Sequence, residues 1–218
     1  MSEHVEHSSV HGHHHDRGWR AVVRYVRLSR RMWTSPINRA VIGLLDVRAS
    51  EWVLDVGAGM GAGAVVAAKA GAHVIAVEPT PFLRRVLAAR RLAQRSRNRI
   101  EVLDGAAEHL PLPDASVDAA WAVNTMHHWS DLDAAVAELE RVLRRGGRVL
   151  LVDEDFDDPA HVDHDRVDAR RHKQHLAFPE IDPAVVGEKL AAHGFDVQKA
   201  AKTELAGRPA KVLLARKT

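Results

Sequence analysis

The stretch that decides the fold is Trp52-Val-Leu-Asp-Val-Gly-Ala-Gly-Met-Gly-Ala-Gly63. A short apolar run containing Asp55 breaks into alternating glycines, and alanines and valines follow. This order predicts a buried strand, a tight turn and a helix. Glycines in the turn let a ligand approach the backbone, because no Cβ intervenes and positive φ is available. The helix start offers backbone N–H groups without intrahelical partners, so the stretch predicts a nucleotide or nucleoside site.

Two kinds of ligand fit this turn. A dinucleotide site needs three small residues and an acid about 20 residues later. The residues that would meet that pattern are Gly57, Gly59, Ala62 and Glu78. The segment from Leu54 to Gly61 also resembles the first motif of class I S-adenosylmethionine (SAM)-dependent methyltransferases. Asp55 favours this second reading, because a carboxylate repels a pyrophosphate but attracts the ammonium and sulfonium of SAM.

Composition narrows the class of protein. The 218 residues allow one α/β domain, and 46% hydrophobic with 28% charged residues is ordinary for a globular protein. No apolar run approaches the roughly 20 residues of a membrane span, and the N-terminus lacks signal-peptide features, so a cytoplasmic protein is expected. The absence of cysteine excludes disulfides, thiolate metal sites and methylation of pyrimidine C5 through a cysteine adduct.

The net charge of +2 gives no strong indication of nucleic acid binding. Arginines are nevertheless concentrated in two places. The first set has helical spacing and consists of Arg20, Arg24, Arg27 and Arg31; the second extends from Arg84 to Arg99. We expect solvated helix faces, and the alternative is a basic helix that contacts lipid or nucleic acid.

The chain divides into three parts. Residues 1–16 are polar and His-rich, which predicts a disordered tail. Residues 17–50 predict two N-terminal helices that form a cap, with Ser35 capping the second and Pro36 at its first position. Residues 51–218 predict the ligand-binding domain, with a possible lid at 154–182.

Periodicity predicts alternating strands and helices from residue 52 onward. The predicted strands are 52–56, 74–77, 100–103, 117–123, 148–153, 195–200 and 211–215. The predicted helices are 61–70, 81–95, one from a capping box at Ser130 and Asp133 to residues 145–147, one from Asp158-Pro159, and one from Asp182-Pro183 to His193-Gly194. This alternation predicts an α/β fold whose mostly parallel sheet is covered on both faces.

Further segments strengthen the resemblance. They are Val77-Glu-Pro-Thr80, Gly105-Ala-Ala-Glu-His-Leu-Pro-Leu-Pro113, Val123-Asn-Thr-Met-His-His-Trp129 and Leu143-Arg-Arg-Gly-Gly-Arg-Val-Leu150. The chain is most similar to the subgroup of ubiquinone/menaquinone-biosynthesis and small-molecule methyltransferases. The resemblance implies a Rossmann-like, seven-stranded sheet with the last strand antiparallel beside the fifth.

The resemblance also implies SAM as cofactor and a role for each matching residue. The turn would pack under the methionine part of SAM, Asp55 would hold its ammonium, and Glu78 would accept hydrogen bonds from both ribose hydroxyls. The implied cofactor-binding residues are Asp55, Gly57, Ala58, Gly59, Glu78, Pro79, Asp104, Ala106, Ala107 and Asn124. Many relatives carry Asp where this chain has Ala106, and Asp104 or Glu108 could substitute for it.

No catalytic side chain is conspicuous, because methyl transfer depends mainly on orientation, and a base is needed only for a protonated acceptor. His127 and His128 are the candidates, at the edge where open α/β sheets bind ligands, and structural packing is the alternative. No metal site is predicted, although Asp153-Glu-Asp155 has suitable ligand types. A helix over 159–176 would align a solvated face or a lid face consisting of His161, Asp165, Asp168, His172 and His175.

The sequence therefore predicts a SAM-dependent methyltransferase that acts on a small-molecule acceptor through oxygen, nitrogen or carbon. The N-terminal helices and residues 154–182 would form the acceptor pocket. The alternatives are an RNA or protein methyltransferase that uses the basic N-terminal helix, a non-catalytic SAM-binding protein and, less favoured, an NAD-linked oxidoreductase. Nucleic acid is not expected as a partner, no membrane span is expected, and no oligomeric state is predicted.

Overall fold

The computed structural model describes residues 36–167 and 180–218. Its helices are α1 (Pro36–Leu44), α2 (Ala62–Lys69), α3 (Pro81–Leu92), α4 (Leu132–Val142) and α5 (Pro183–Ala192). Its strands are β1 (Trp52–Val56), β2 (His73–Val77), β3 (Ile100–Leu103), β4 (Val117–Val123), β5 (Leu143–Glu154), β6 (Phe195–Leu205) and β7 (Arg208–Lys217). Short 3-10 turns occur at Arg97–Arg99 and Met126–His128.

The seven strands form one sheet in the order β3-β2-β1-β4-β5-β7-β6. Strands β1 to β5 pair in parallel, whereas β7 is antiparallel to both β5 and β6. The predicted mostly parallel sheet and the antiparallel strand beside β5 are therefore confirmed. Because the carboxyl ends of β1, β2, β4 and β5 lie at one edge, ligands are expected to bind there.

Alternating side chains of each strand enter two hydrophobic cores, one on each face of the sheet. Leu54 and Ala120 belong to the core that also contains Leu139 of α4 and Leu190 of α5. The other core combines sheet residues such as Val53 and Trp121 with apolar residues of α1, α2 and α3. Helices therefore cover both faces, as predicted.

Helix α1 is described from Pro36, while the predicted cap Ser35, the tail and the first predicted N-terminal helix lie outside the described residues. Within those residues, no helix has both the length and the apolar character needed to cross a membrane.

The start of α4 corrects one prediction. Its N-cap is Asp131 rather than Ser130, and Asp131 Oδ1 accepts from the backbone N–H groups of Asp133 and Ala134 at 3.0 Å each. The Ser130 hydroxyl instead donates to Glu108 Oε1 at 2.9 Å. Asp131 is the residue in the capping position, because a capping side chain must reach the N–H groups two or three residues ahead.

The junction of α4 and β5 corrects the predicted end of the helix. Helix α4 ends at Val142, and β5 begins at Leu143 rather than after the glycines. Leu143 pairs with Val117, and the register shifts before Arg148 pairs with Ala119. Gly146, at φ 75°, lies in the segment where this irregularity occurs. The glycines therefore allow a bulge inside the strand instead of ending the helix.

No helix begins at Asp158-Pro159. Residues 156–163 form turns, and helical geometry starts at His164. Asp158 accepts locally from Ala160 N at 2.8 Å, which favours a turn. His161 is buried rather than on a solvated face, and Asp168, His172 and His175 lie outside the described residues. The predicted helix over 159–176 is thus wrong at its start.

Strands β6 and β7 extend beyond their predicted ranges and meet in a tight hairpin. Ala206 and Gly207 both have positive φ, at 55° and 73°, as a two-residue hairpin turn requires. The alternating charged residues of β6 lack a clear apolar period, which is why its full length escapes prediction. The hairpin places Arg208 at the sheet edge where β5 ends.

Candidate active site at the carboxyl edge of the sheet

The turn after β1 uses its glycines for two different purposes. Gly57 and Gly61 have φ of 66° and 76°. A Cβ on Gly57 would lie 2.5 Å from Thr125 Cγ2, and one on Gly61 would overlap Leu87 Cδ1. Gly59, at φ 54°, would meet nothing within 4 Å. Two glycines therefore permit packing within the protein, while the third faces open space that a ligand could occupy.

Glu78 ties this turn to the end of β2. Its carboxylate is buried, and Oε2 accepts from Gly59 N at 2.8 Å while Oε1 accepts from Thr80 N at 2.8 Å. Each carboxylate oxygen can accept a second hydrogen bond. Glu78 is thus held rigidly beside the open space at Gly59, with acceptor capacity left for a vicinal diol.

Asp55 lies beneath the turn. Its Oδ2 accepts from Ala64 N, in the first turn of α2, at 2.9 Å. Burial raises the pKa of Asp55 to about 7, an effect that the Ala64 hydrogen bond opposes and the nearby Glu78 charge increases. A positive ligand above the turn would favour the ionised form of this carboxyl group.

In the segment after β3, both carboxylates that could replace the Asp of many relatives already have protein partners. Asp104 is exposed and forms a bidentate pair with Arg84, whose two terminal nitrogens lie 2.7 and 2.8 Å from its oxygens. Glu108 bonds Ser130, as described above. Nearby, the Pro79 carbonyl accepts from Arg84, and the backbone of Ala106 bridges to that of His109. Ala107 is buried in the core.

The end of β4 is joined to the end of β5 by Asn124. This residue has φ 56°, a conformation that Asn tolerates better than most side chains. Its amide donates to Glu154 Oε1 at 2.8 Å and accepts from Glu154 N at 2.7 Å. The Asn124 side chain therefore faces β5, and only its backbone position places it near the glycine turn.

His127 is paired with a buried acid. Its Nδ1 lies 2.9 Å from Asp153 Oδ2, and Asp153 Oδ1 accepts from Thr125 N at 3.0 Å. The His128 ring lies against the His127 ring at a centroid distance of 4.1 Å. A carboxylate on Nδ1 fixes the tautomer in which Nε2 can accept a proton, so the pair has the geometry of an oriented base.

The structure thus gathers Asp55, Gly59, Glu78, Asn124 and His127 at one sheet edge, while Asp104 is paired with Arg84. The sequence analysis did not predict the pairing of His127 with Asp153. It considered Asp153 only as a potential metal ligand. The available signal was an acid at the end of one strand and a histidine after its parallel neighbour. Among the described residues, no group of three or more His, Asp or Glu side chains is arranged so that it could hold a metal ion.

Comparison with known proteins agrees with this geometry. Residues 54–151 match the family model described as a methyltransferase domain. Demethylmenaquinone methyltransferase of Thermobifida fusca is 36% identical over 114 residues, which cover 52% of this chain and 48% of that protein. A 37.1 kDa protein of unassigned function in transposon TN4556 of Streptomyces fradiae is 30% identical over 75% of this chain and 47% of its own length.

The fold also matches solved structures. A SAM-dependent methyltransferase from Aquifex aeolicus superposes with a TM-score of 0.69 at 18% identity, covering 93% of this chain and all of that one. At that identity the match supports the fold alone. The chain spans about half the length of the curated relatives it matches.

Proposed function

We propose that this chain, whose residues 54–151 match a methyltransferase domain, transfers the methyl group of SAM to a small-molecule acceptor. The observation that carries the proposal is the buried Glu78 carboxylate, fixed by Gly59 N beside the open side of the glycine turn. A neutral nucleoside edge with two hydroxyls fits that arrangement, whereas a pyrophosphate would meet the charges of both Asp55 and Glu78.

The residues that would hold SAM follow the sheet edge. Gly57, Ala58 and Gly59 would support its methionine part, Asp55 would attract its ammonium from below, and Glu78 would bind the ribose. Pro79, Ala106 and Ala107 would line the adenine side, where Asp104 and Glu108 already have other partners. Bound SAM supplies a methyl group that is already activated by its sulfonium.

The protein's remaining task is to orient the acceptor and to receive a proton where the acceptor carries one. His127 is placed for this second task, with Asp153 holding its Nδ1 so that Nε2 can take the proton. This arrangement favours an acceptor with an O–H or N–H group. His128 packs on His127 and would restrict the orientation of that ring.

Substitution of Glu78 tests the cofactor assignment. Glu78→Ala should weaken SAM binding at least about tenfold, because a charge-assisted hydrogen bond contributes roughly 1.5–3 kcal/mol. Isothermal titration calorimetry with SAM measures the affinity, and circular dichroism checks the fold. Glu101→Ala, which removes an exposed glutamate from the neighbouring strand, is the matched control. Unchanged affinity in folded Glu78→Ala would contradict the ribose assignment.

Substitution of His127 tests the base. For an O–H or N–H acceptor that the wild-type protein methylates, His127→Ala should lower kcat by about 10²- to 10⁴-fold with little change in SAM affinity. Asp153→Asn should show a smaller loss and an altered pH profile, because the tautomer is no longer fixed. Tight SAM binding without turnover of any acceptor in a broad panel would favour the non-catalytic alternative.

A further inference from the structure

A cluster of buried charged side chains lies at the carboxyl end of β5, beside the proposed site. At its centre is Glu154, whose side chain is only 5% exposed. Its Oε2 accepts from Arg208 Nη1 at 2.6 Å and from His161 Nε2 at 3.1 Å, and its Oε1 accepts from Asn124 at 2.8 Å. His161 Nδ1 accepts from Asp163 N at 3.1 Å, so a neutral His161 must carry its proton on Nε2.

This arrangement requires a carboxylate rather than an amide. Three donors converge on Glu154 from two directions, and only a group with two acceptor oxygens can satisfy them all. A Gln at this position would turn an N–H₂ group toward either Asn124 or the Arg208 side. Burying such an ion pair brings little net stability compared with apolar packing, because desolvation offsets the attraction. The geometry is therefore better explained by what the cluster holds in place.

On one side the cluster holds the loop after β4. Asn124, bound at both ends of its amide by Glu154, is followed by Thr125, whose methyl group packs where a Cβ on Gly57 would lie. Two residues further along is His127. The position of this loop between the glycine turn and β5 thus depends on the Asn124–Glu154 pair.

On the other side the cluster holds the segment after β5. His161 is buried, with its ring edge against Phe156 at a centroid distance of 4.6 Å. Asp163 lies 3.8 Å from Arg208 Nη1, and helical residues follow from His164. Four separate parts of the chain therefore meet at one carboxylate: the end of β4, the end of β5, residues 156–163 and the start of β7.

We propose that Glu154 is a positioning residue for methyl transfer, which fixes the His127 loop relative to the 156–163 segment on the acceptor side. The proposal rests on the proposed function for its catalytic consequence. The structural part of the proposal does not depend on that function. A change at Glu154 should alter the position of His127 through Asn124, while the cofactor contacts of Asp55 and Glu78 are left intact.

The test compares Glu154→Gln with Asn124→Gly. The second variant keeps a residue suited to positive φ but removes the amide, so it isolates the hydrogen bonds from backbone strain. Both should shift the NMR resonances of the His127 ring nitrogens, assigned by their loss in His127→Ala. Both should also raise amide hydrogen exchange in residues 124–128 and 156–163 about tenfold, while exchange in β1 stays unchanged. Affinity for S-adenosylhomocysteine should stay within about threefold of wild type, with kcat rather than the KM for SAM reduced for any acceptor found.

The matched control is Glu140→Gln, which also removes a carboxylate, from a half-buried ion pair with Lys217. The double variant Glu154→Gln/Asn124→Gly should be no worse than either single variant, because both break the same link. His127 resonances that move no more than in the control would overturn the proposal, even if stability falls. If Glu154→Gln does not fold, Asn124→Gly alone decides. A wild-type protein that fails to bind S-adenosylhomocysteine contradicts the proposed function, while the His127 shifts still test the positioning role.

Discussion

At the scale of single residues, Asp55 combines a buried position with a raised pKa, and this has a consequence for stability. The usual aspartate pKa is near 3.9, whereas burial raises that of Asp55 to about 7. Between these values the folded protein holds a proton that the unfolded chain has lost, so stability falls as pH rises through this window. Above the folded pKa, the ionised group costs on the order of 4 kcal/mol.

Asp55→Asn should therefore stabilise the ligand-free protein at pH 8, where the wild-type carboxylate is charged. We expect a rise in Tm of at least about 5 °C at pH 8, and nearly equal Tm values at pH 4, where Asp55 is protonated. Thermal unfolding at both pH values measures this. Asp104→Asn, which changes an exposed carboxylate, should not reproduce the pH-dependent gain. Equal Tm values at pH 8 would show that Asp55 is not destabilising when charged.

At the scale of elements, the β1–α2 turn separates packing from binding. Gly61→Ala should destabilise the protein strongly, because its Cβ would overlap Leu87 and φ is positive. Gly59→Ala should cost only the backbone strain, about 1 kcal/mol, because its Cβ enters open space. That space is the proposed cofactor site, so Gly59→Ala should weaken SAM binding although it lowers Tm only slightly. Calorimetry and thermal unfolding on both variants check this, and a Gly59→Ala protein with wild-type affinity would contradict the site.

The elements that the sequence predicts well have a local signal. Strands β1 and β4 are short apolar runs, and glycines mark the turn after β1, so the bounds of both strands follow from the local pattern. The bulge in β5 depends instead on its pairing with β4. Asn124 and Glu154 are 30 residues apart, and nothing local to either position indicates that they meet. His127 and Asp153 are likewise 26 residues apart, so the local sequence does not indicate that they pair.

At the scale of the whole molecule, the arginines explain why a basic cluster does not by itself indicate nucleic acid. Residues 79–100 contain seven arginines and no acid. Four of them donate to backbone carbonyls at 2.7–3.0 Å: Arg84 to Glu78 and Pro79, Arg90 to Met60, Arg91 to Ile100 and Arg99 to Gly71. Much of this cluster therefore has a structural role that a solvated helix face would not have.

The cluster still creates a positive surface, since Lys69, Arg95 and Arg99 line one cavity near the ends of α2 and α3. We expect single-stranded RNA to bind only weakly and without sequence preference. If about three phosphates are neutralised, the affinity should fall roughly twentyfold between 50 and 200 mM salt. Fluorescence anisotropy with a labelled oligonucleotide measures this, and Arg95→Gln should reduce the salt dependence without lowering Tm. Arg99→Gln should instead lower Tm, because it loses the bond to Gly71. Tight, sequence-selective binding that persists at 200 mM salt would favour an RNA methyltransferase over a small-molecule one.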